Sequence, residues 1–244
     1  MPASKPRVAV VTDSTAALPA SLAAGLTVVP LTVVIDGAEA TEGIGVAPGA
    51  VAAALTAGKP VSTSRPAPSA FAAEYERLLG EGFDAVLSVH LSAKLSGTWE
   101  SAALAAADFA GRVEVIDSAA AGMGLGFPAV AAAAAAAGGA DLAGVRAAAQ
   151  SAIDRTTTLF YVDTLEFMRR GGRIGAASAA LGTALAVKPI LGMSDGAVVP
   201  LEKVRTSSRA IARVVDRAVD AAGGSTVDVA VQHAAAPERA EALA

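Results

Sequence analysis

Short apolar runs alternate with alanine-rich stretches of helical length along the first two thirds of the chain. Arg7 to Thr12 (RVAVVT), Thr27 to Asp36 (TVVPLTVVID), Phe83 to Val89 and Val113 to Ile116 are near-continuous hydrophobic runs rich in β-branched residues. Runs of that length and composition predict strands buried on both faces, as in a parallel sheet. Pro30 implies a bend within the second run, or an edge position, and Asp36-Gly37 ends it as a turn. Between the strands the pattern predicts helices. One starts near Leu18-Pro19, one covers Ala50 to Ala57 and stops at Gly58 and Pro60, and one covers Ser69 to Leu79 after two prolines. An alanine-rich helix follows Thr98, another ends at Gly138-Gly139, and a further one covers Asp141 to Ile153.

After Arg155 the pattern changes. Thr157 to Val162 reads as a strand, Leu165 to Arg170 as a short helix stopped by Gly171-Gly172, and Ala176 to Leu185 as a helix of small residues. Val187 to Leu191 and Ala197 to Leu201 flank Ser194-Asp195-Gly196, which predicts a hairpin. Ser207 to Ala222 is a long helix, Val227 to Gln232 a last strand, and Pro237 onward the first turns of a helix. The fold class is therefore α/β with two domains. Residues 1–154 form a Rossmann-like parallel sheet with helices on both faces, and residues 155–244 a smaller α/β domain.

Composition narrows the function. Hydrophobic residues make up 53% and charged residues 17%, a globular balance with an alanine-rich core. A net charge of −4 without a basic run, and 4% aromatics, argue against a nucleic-acid partner. No cysteine means no disulfide or thiolate chemistry, and the two histidines, His90 and His233, have no metal-ligand spacing, so no metal or cofactor is expected. The start of the chain has no secretory signal, and Val130 to Ala137 is far short of the ~20 apolar residues that span a bilayer. A cytoplasmic protein with no integral membrane span is the expectation.

Candidate chemistry gathers at strand ends. Ser96-Gly97-Thr98, in LSAKLSGTWES, falls between a strand and a helix. A helix N-terminus there offers backbone N–H groups and partial positive charge to an anion, and glycine allows close approach. The alternative is that Ser96 only caps the helix. Thr63-Ser64, Asp13-Ser14 and Asp117-Ser118 lie at other junctions, and ligands of open α/β sheets bind beyond the strands' carboxyl ends. Asp13 and Asp117 read as strand-end and cap groups, and His90, beside a buried strand, as a hydrogen-bonded core group. Gly122-Met123-Gly124-Leu125-Gly126 lacks the spacing and the following acidic residue of a dinucleotide loop, and reads as close helix packing. Ser96 as nucleophile of a serine-dependent esterase or other small-acyl hydrolase would need a base within reach, and no GxSxG elbow is present.

Together, VTDST (11–15), TSRP (63–66), LSAKLSGTWES (91–101), IDS (116–118), TLEFMRRGGRI (164–174), KPIL (188–191) and KVR (203–205) resemble, in order and spacing, the DegV family of bacterial fatty-acid-binding proteins. The resemblance implies a long-chain fatty acid held between elements of two α/β domains, its carboxylate against Thr63 or Ser64, Ser96 and the Gly97 backbone. Arg65 and Ser118 are possible additional head-group residues. It also implies a non-enzymatic carrier for phospholipid synthesis that presents the acid to a separate fatty acid kinase for acyl-phosphate formation, with Arg173 and Arg205 toward the kinase. Lys203, Arg205, Arg209 and Arg213 place positive charge along and before one helix, which fits such a docking face, the alternative being an ordinary solvated surface. Burying ~14 methylenes at ~0.8 kcal/mol each supplies on the order of 11 kcal/mol before ordering costs, and the helix 176–185 is the candidate lining, the alternative being ordinary close packing of small residues between helices. Three departures stand out. Arg65 replaces a usual Gln, and Thr206 replaces a usual Gly after Arg205, a change expected to stiffen or move that loop. The family's His-x-Gly-Pro-Gly segment near the carboxylate does not occur before Ala244, so an incomplete C-terminal domain is expected.

Overall fold

The structure is a computed structural model that describes residues 7–175 and 187–244, with only the backbone of Pro48. By packing, the chain divides into two compact units, Met1–Thr156 with Gln232–Ala244, and Thr157–Val231.

In the first unit, β1 (Val8–Asp13), β2 (Leu26–Val29), β3 (Thr32–Ile35), β4 (Ala38–Thr41), α1 (Pro48–Thr56), β5 (Val61–Ser64), α2 (Pro68–Gly80), β6 (Ala85–His90), α3 (Thr98–Ala106), β7 (Val113–Asp117), α4 (Met123–Ala137) and α5 (Leu142–Arg155) follow in order. The main sheet is parallel throughout, in the order β2-β1-β6-β7. Its alternating side chains feed two cores. Val8, Val10, Leu87, Val89 and Ile116 face Leu125, Ala132, Val145 and Ala149 of α4 and α5. Ala9, Val11 and Val86 face Phe71, Tyr75, Leu78, Ala102 and Ala105 of α2 and α3. Helices therefore cover both faces, which is the reason the central strands carry apolar residues at nearly every position.

The run containing Pro30 is two strands. Leu26 to Val29 pairs with β1, and the chain then bends at Pro30 into β3, the centre of a second, antiparallel sheet of order β4-β3-β5. Asp36 (φ 54°) and Gly37 (φ 82°) form the two-residue turn from β3 to β4, with Ile35 opposite Ala38. No α-helix forms near Leu18-Pro19. A 3₁₀ turn (Ser14–Ala16) and hydrogen-bonded turns bridge the short span from β1 to β2.

In the second unit, β8 (Leu159–Tyr161), α6 (Glu166–Arg170), β9 (Lys188–Ser194), β10 (Ala197–Val204) and α7 (Ser207–Ala222) build an antiparallel sheet of order β10-β9-β8 with a helix on it. The predicted hairpin turns at Asp195 (φ 48°) and Gly196 (φ 75°). Ala210 of α7 packs on Ile190 and Val204. Val227 to Gln232 is not a strand. It pairs with no strand among the described residues, and Val227 and Val229 are 51% and 72% exposed. Its β-branched residues fit a ladder that has no partner here. The short helix α8 (Pro237–Glu241) comes after it and belongs to the first unit. The small-residue helix expected at 176–185 lies outside the described residues.

Candidate functional site

The carboxyl ends of β1, β6 and β7 are tied together by one buried carboxylate and the loops it holds. Asp13 Oδ1 accepts from the Thr15 N–H at 3.0 Å, and Oδ2 accepts from the Leu91 N–H at 3.1 Å. His90 Nδ1 lies 3.0 Å from the same Oδ2, while its Nε2 lies 2.6 Å from Ser88 Oγ. Tyr75 donates its hydroxyl to Ser88 Oγ at 2.8 Å. The Ser88 proton is thereby left for His90 Nε2, and Nδ1–H is left for Asp13, which fixes the imidazole tautomer. Burial pushes the Tyr75 phenol well above its ordinary pKa, with the Ser88 bond acting the other way, so Tyr75 stays a donor. The His90 carbonyl accepts from the Ser118 N–H at 2.9 Å, joining β7 to the same corner. Asp117 holds the Ala119 and Ala93 N–H groups at 2.8 and 3.3 Å. Both aspartates thus serve as strand-end groups.

Ser88, His90 and Asp13 have the connectivity of a hydrolase triad, but Ser88, His90 and Asp13 are all fully buried, and the Ser88 hydroxyl is shared between Tyr75 and His90. No substrate can reach it. The other candidate, the half-buried Ser96, pairs with Thr98 Oγ1 at 2.9 Å and makes no hydrogen bond to a histidine.

The loop after β6 is built to leave a helix end open. Ser92 accepts from the N–H groups of Leu95 (2.9 Å) and Ser96 (3.1 Å), and its Oγ accepts from Lys94 (3.1 Å). This turn delivers Gly97, not Ser96, to the N-cap of α3, and no side chain caps that helix. Ser96 is half-buried beside the buried Thr98, so two hydroxyls flank the uncapped end. Trp99 Nε1, in the same first turn, is buried without a hydrogen-bond partner.

Thr63 and Ser64 sit at the exposed end of β5, opposite Val33 and Thr32 of β3. Successive strand residues point to opposite faces, so only one of the two hydroxyls can face a given ligand. Arg65 precedes Pro66, which keeps it extended, so Arg65 continues the face of Thr63. Its guanidinium lies directly against Gly97, where a Cβ would overlap Nη1, and pairs with Glu100 Oε2 of α3 at 3.3 Å. This contact brings the TSRP strand end to the SGT loop and favours Thr63 as the hydroxyl on the Ser96 side. A cleft of about 280 Å³ beside the pair is lined by Arg65, Pro66, Glu100 and Ser101, and includes none of Thr63, Ser64 or Ser96. Ser118 is buried, with its Oγ engaged with the Ala120 backbone.

Arg173 and Arg205 belong to the second unit and are exposed. Arg173 follows the α6 stop and donates to the Gly171 carbonyl, and Arg205 stands between β10 and α7. Arg213 is committed elsewhere. It grips Glu202 through Nε (3.0 Å) and Nη2 (3.0 Å) and also Asp216 (2.9 Å), which raises its own pKa and holds the Glu202 carboxyl below its usual range. The basic stripe expected along α7 is partly neutralised at that point.

Three features of this region give no local signal in the sequence. Glu100 pairs with a residue 35 positions away, and Tyr75 completes the His90 network across the sheet. Gln232 reaches back to α4, its Oε1 accepting from the Met123 N–H at 2.8 Å and its Nε2 donating to the Ala17 carbonyl at 3.3 Å. The glycine cluster at 122–126 makes room for it. Gly122 has φ 60° and ψ −146°, and a Cβ there would stand 2.5 Å from Gln232 Oε1. Among the described residues there is no cluster of three or more metal-binding side chains, and no helix long and apolar enough to cross a membrane.

Comparison with known proteins agrees with this architecture. A family model described as an uncharacterised protein of the DegV family matches residues 7–244. A DegV domain-containing protein of Streptomyces coelicolor is 50% identical over 239 residues, covering 97% of this chain and 85% of the relative. One from Mycobacterium tuberculosis is 40% identical over 240 residues, covering 97% and 84%. Among solved structures, a Thermus thermophilus DegV family protein described by its fatty acid binding superposes with a TM-score of 0.82 at 38% identity, covering 89% of this chain and 79% of that one. DegV of Bacillus subtilis, described as a fatty acid binding protein, gives 0.79 at 33%, covering 89% and 78%. The parallel sheet with helices on both faces, the SGT loop at its carboxyl edge and these matches lead to one conclusion: the chain belongs to the DegV family.

Proposed function

We propose that this protein binds a long-chain fatty acid, with the carboxylate held at the N-terminus of α3 by the Gly97 backbone, Ser96 and Thr63, and with Ser64 or Ser118 as lesser contributors. The observation that carries this reading is the uncapped helix end. Gly97 stands at the N-cap and the Ser96 hydroxyl beside it bonds to Thr98, so the N–H groups of the first turn are left without a side-chain acceptor. An acidic head group supplies that acceptor and complements the helix's partial positive charge. Neutral hydroxyls orient the carboxylate without a tight buried ion pair, which suits a ligand that must be handed on. The solved relatives described as fatty-acid-binding support the same reading. The protein then acts as a cytoplasmic carrier, not an enzyme. It presents the acid to a separate fatty acid kinase for acyl-phosphate formation on the way to phospholipid, and Arg173 and Arg205 face that kinase.

The test is denaturing extraction of the purified protein followed by mass spectrometry, with Ser96→Ala alongside. A copurifying fatty acid that is depleted in Ser96→Ala is the expected result. Turnover of an activated ester that is lost in Ser96→Ala, with no lipid recovered, would replace the carrier with a hydrolase. Arg173→Ala with Arg205→Ala should retain lipid and lose acyl-phosphate formation with a fatty acid kinase. If both activities survive, the docking assignment is wrong.

A further inference from the structure

We propose that Arg65 reads the charge of the ligand's head group and favours a dianion, such as a phosphorylated acyl chain, over a monoanionic carboxylate, with Glu100 as the counter-charge it releases. The inference rests on the fatty-acid reading above and concerns which form of the ligand that site retains.

Arg65 places a full positive charge on Gly97, the N-cap of α3. That end of a helix is already electropositive, so two like charges meet there. Among the described residues only Glu100 is paired with this guanidinium, through a single 3.3 Å contact, and both side chains are more than half exposed (54% and 65%). An exposed single-contact pair holds weakly. Exchanging Glu100 for the oxygens of a ligand is therefore a small perturbation, and the guanidinium fork matches a phosphate or carboxylate in two-point fashion. The glycine is what permits this seat, since any side chain at position 97 would occupy the guanidinium's place. A carboxylate uses its charge up on the helix end and the hydroxyls. A phosphoryl group brings a second charge and a third oxygen, and these are what Arg65 can take. The adjoining cleft, floored by Arg65, Glu100 and Ser101, gives the displaced Glu100 carboxylate somewhere to go.

The experiment is a competition titration on delipidated protein at pH ~8, above the second phosphate pKa of about 6, with hexadecanoate and hexadecyl phosphate as the two probes. Wild type, Arg65→Gln and Glu100→Gln are compared. Arg65→Gln should weaken hexadecyl phosphate about tenfold and hexadecanoate no more than about threefold, in line with one lost charge-assisted contact. Glu100→Gln should act in the opposite direction and tighten hexadecyl phosphate. A phosphate-to-carboxylate affinity ratio that is the same in wild type and Arg65→Gln overturns the assignment even though both ligands bind. If neither probe binds wild type, it is the underlying fatty-acid reading that falls, and this inference falls with it.

Discussion

His90 Nδ1 and Asp13 Oδ2, 77 residues apart in the chain, lie 3.0 Å from each other with both side chains fully buried. The contact closes a chain of donors that starts at Tyr75 and ends on the Leu91 and Thr15 N–H groups, so one carboxylate sets the positions of the β1 and β6 loop entries. Removing it strands four donors, the Thr15 N–H and hydroxyl, the Leu91 N–H and His90 Nδ1, in a dry corner. Asp13→Ala should lower stability by about 3–5 kcal/mol, the cost of breaking a buried pair from one side. The check is a denaturant titration in which the midpoint falls while the slope is unchanged. A loss below about 1 kcal/mol would mean the corner relaxes or admits water.

Tyr75→Phe tests the far end of the same chain. The ring remains packed on Phe71 and Phe109, and Ser88 keeps its bond to His90. Only the hydroxyl contact is lost, so the expected cost is about 1 kcal/mol, several-fold less than for Asp13→Ala. Thermal unfolding of the two variants side by side measures the difference. Equal losses would show that Ser88 orientation, not the carboxylate, governs the network.

Gly122→Ala should destabilise by two separable routes. The backbone there (φ 60°, ψ −146°) is one that side chains rarely adopt, and a Cβ would meet Gln232 Oε1. Backbone strain of this kind costs about 1–3 kcal/mol. Gln232→Ala alone loses the bonds to the Met123 N–H and the Ala17 carbonyl, together a contribution of about 1–2 kcal/mol. Combining the two removes the collision but not the strain. The double variant should therefore be less destabilised than the sum of the singles, yet worse than Gln232→Ala by at least ~1 kcal/mol. Full additivity in a double-mutant cycle would show that the two residues do not interact.

The outcome at these positions shows what a linear pattern can carry. β1 and β6 were legible because burial on both faces forces apolar runs, and the Asp195-Gly196 hairpin because its turn demands positive φ. β5 was not legible as a strand. Val-Ser-Thr-Ser has polar side chains at the exposed edge of a sheet, and only its ladder to β3 makes it one. Val227 to Gln232 fails in the opposite sense, with strand composition and no partner strand among the described residues. At the candidate site the residue types were visible, and the SGT and TSRP segments do approach through Arg65 and Gly97. That the cap is Gly97, with Ser96 turned to Thr98, follows from the Ser92 turn and Asp117, and such contacts between distant loops leave no periodicity behind.

Gly97→Ala separates the site from the fold. Gly97 has an ordinary φ of −76°, so alanine is tolerated by the backbone. The new methyl instead evicts the Arg65 guanidinium, the mobile end of an exposed side chain. Stability should change by less than about 1 kcal/mol, as for a surface substitution, while the affinity for hexadecyl phosphate falls about tenfold and that for hexadecanoate no more than about threefold, as for Arg65→Gln. A protein that unfolds on this change would show that the loop, not Arg65, is what the glycine accommodates.

Glu202 gives the pH-dependent case. Hydrogen bonds from Arg213, reinforced by Arg217, hold its folded-state pKa below the ordinary carboxylate value. A depressed folded pKa means that the unfolded chain binds the proton more tightly. The stabilising contribution is therefore complete above the unfolded pKa and disappears as pH falls through the folded one. Glu202→Gln should lower Tm by no more than a few degrees at neutral pH, because both partners are substantially solvent-exposed. That gap should close as the medium is taken into the acid range where wild-type Glu202 protonates, and it should narrow in ~1 M salt, where exposed charges are screened within about 3 Å. Thermal unfolding of both proteins across pH and salt measures it. A gap that is constant with pH would assign the effect to packing of the side chain and not to its charge.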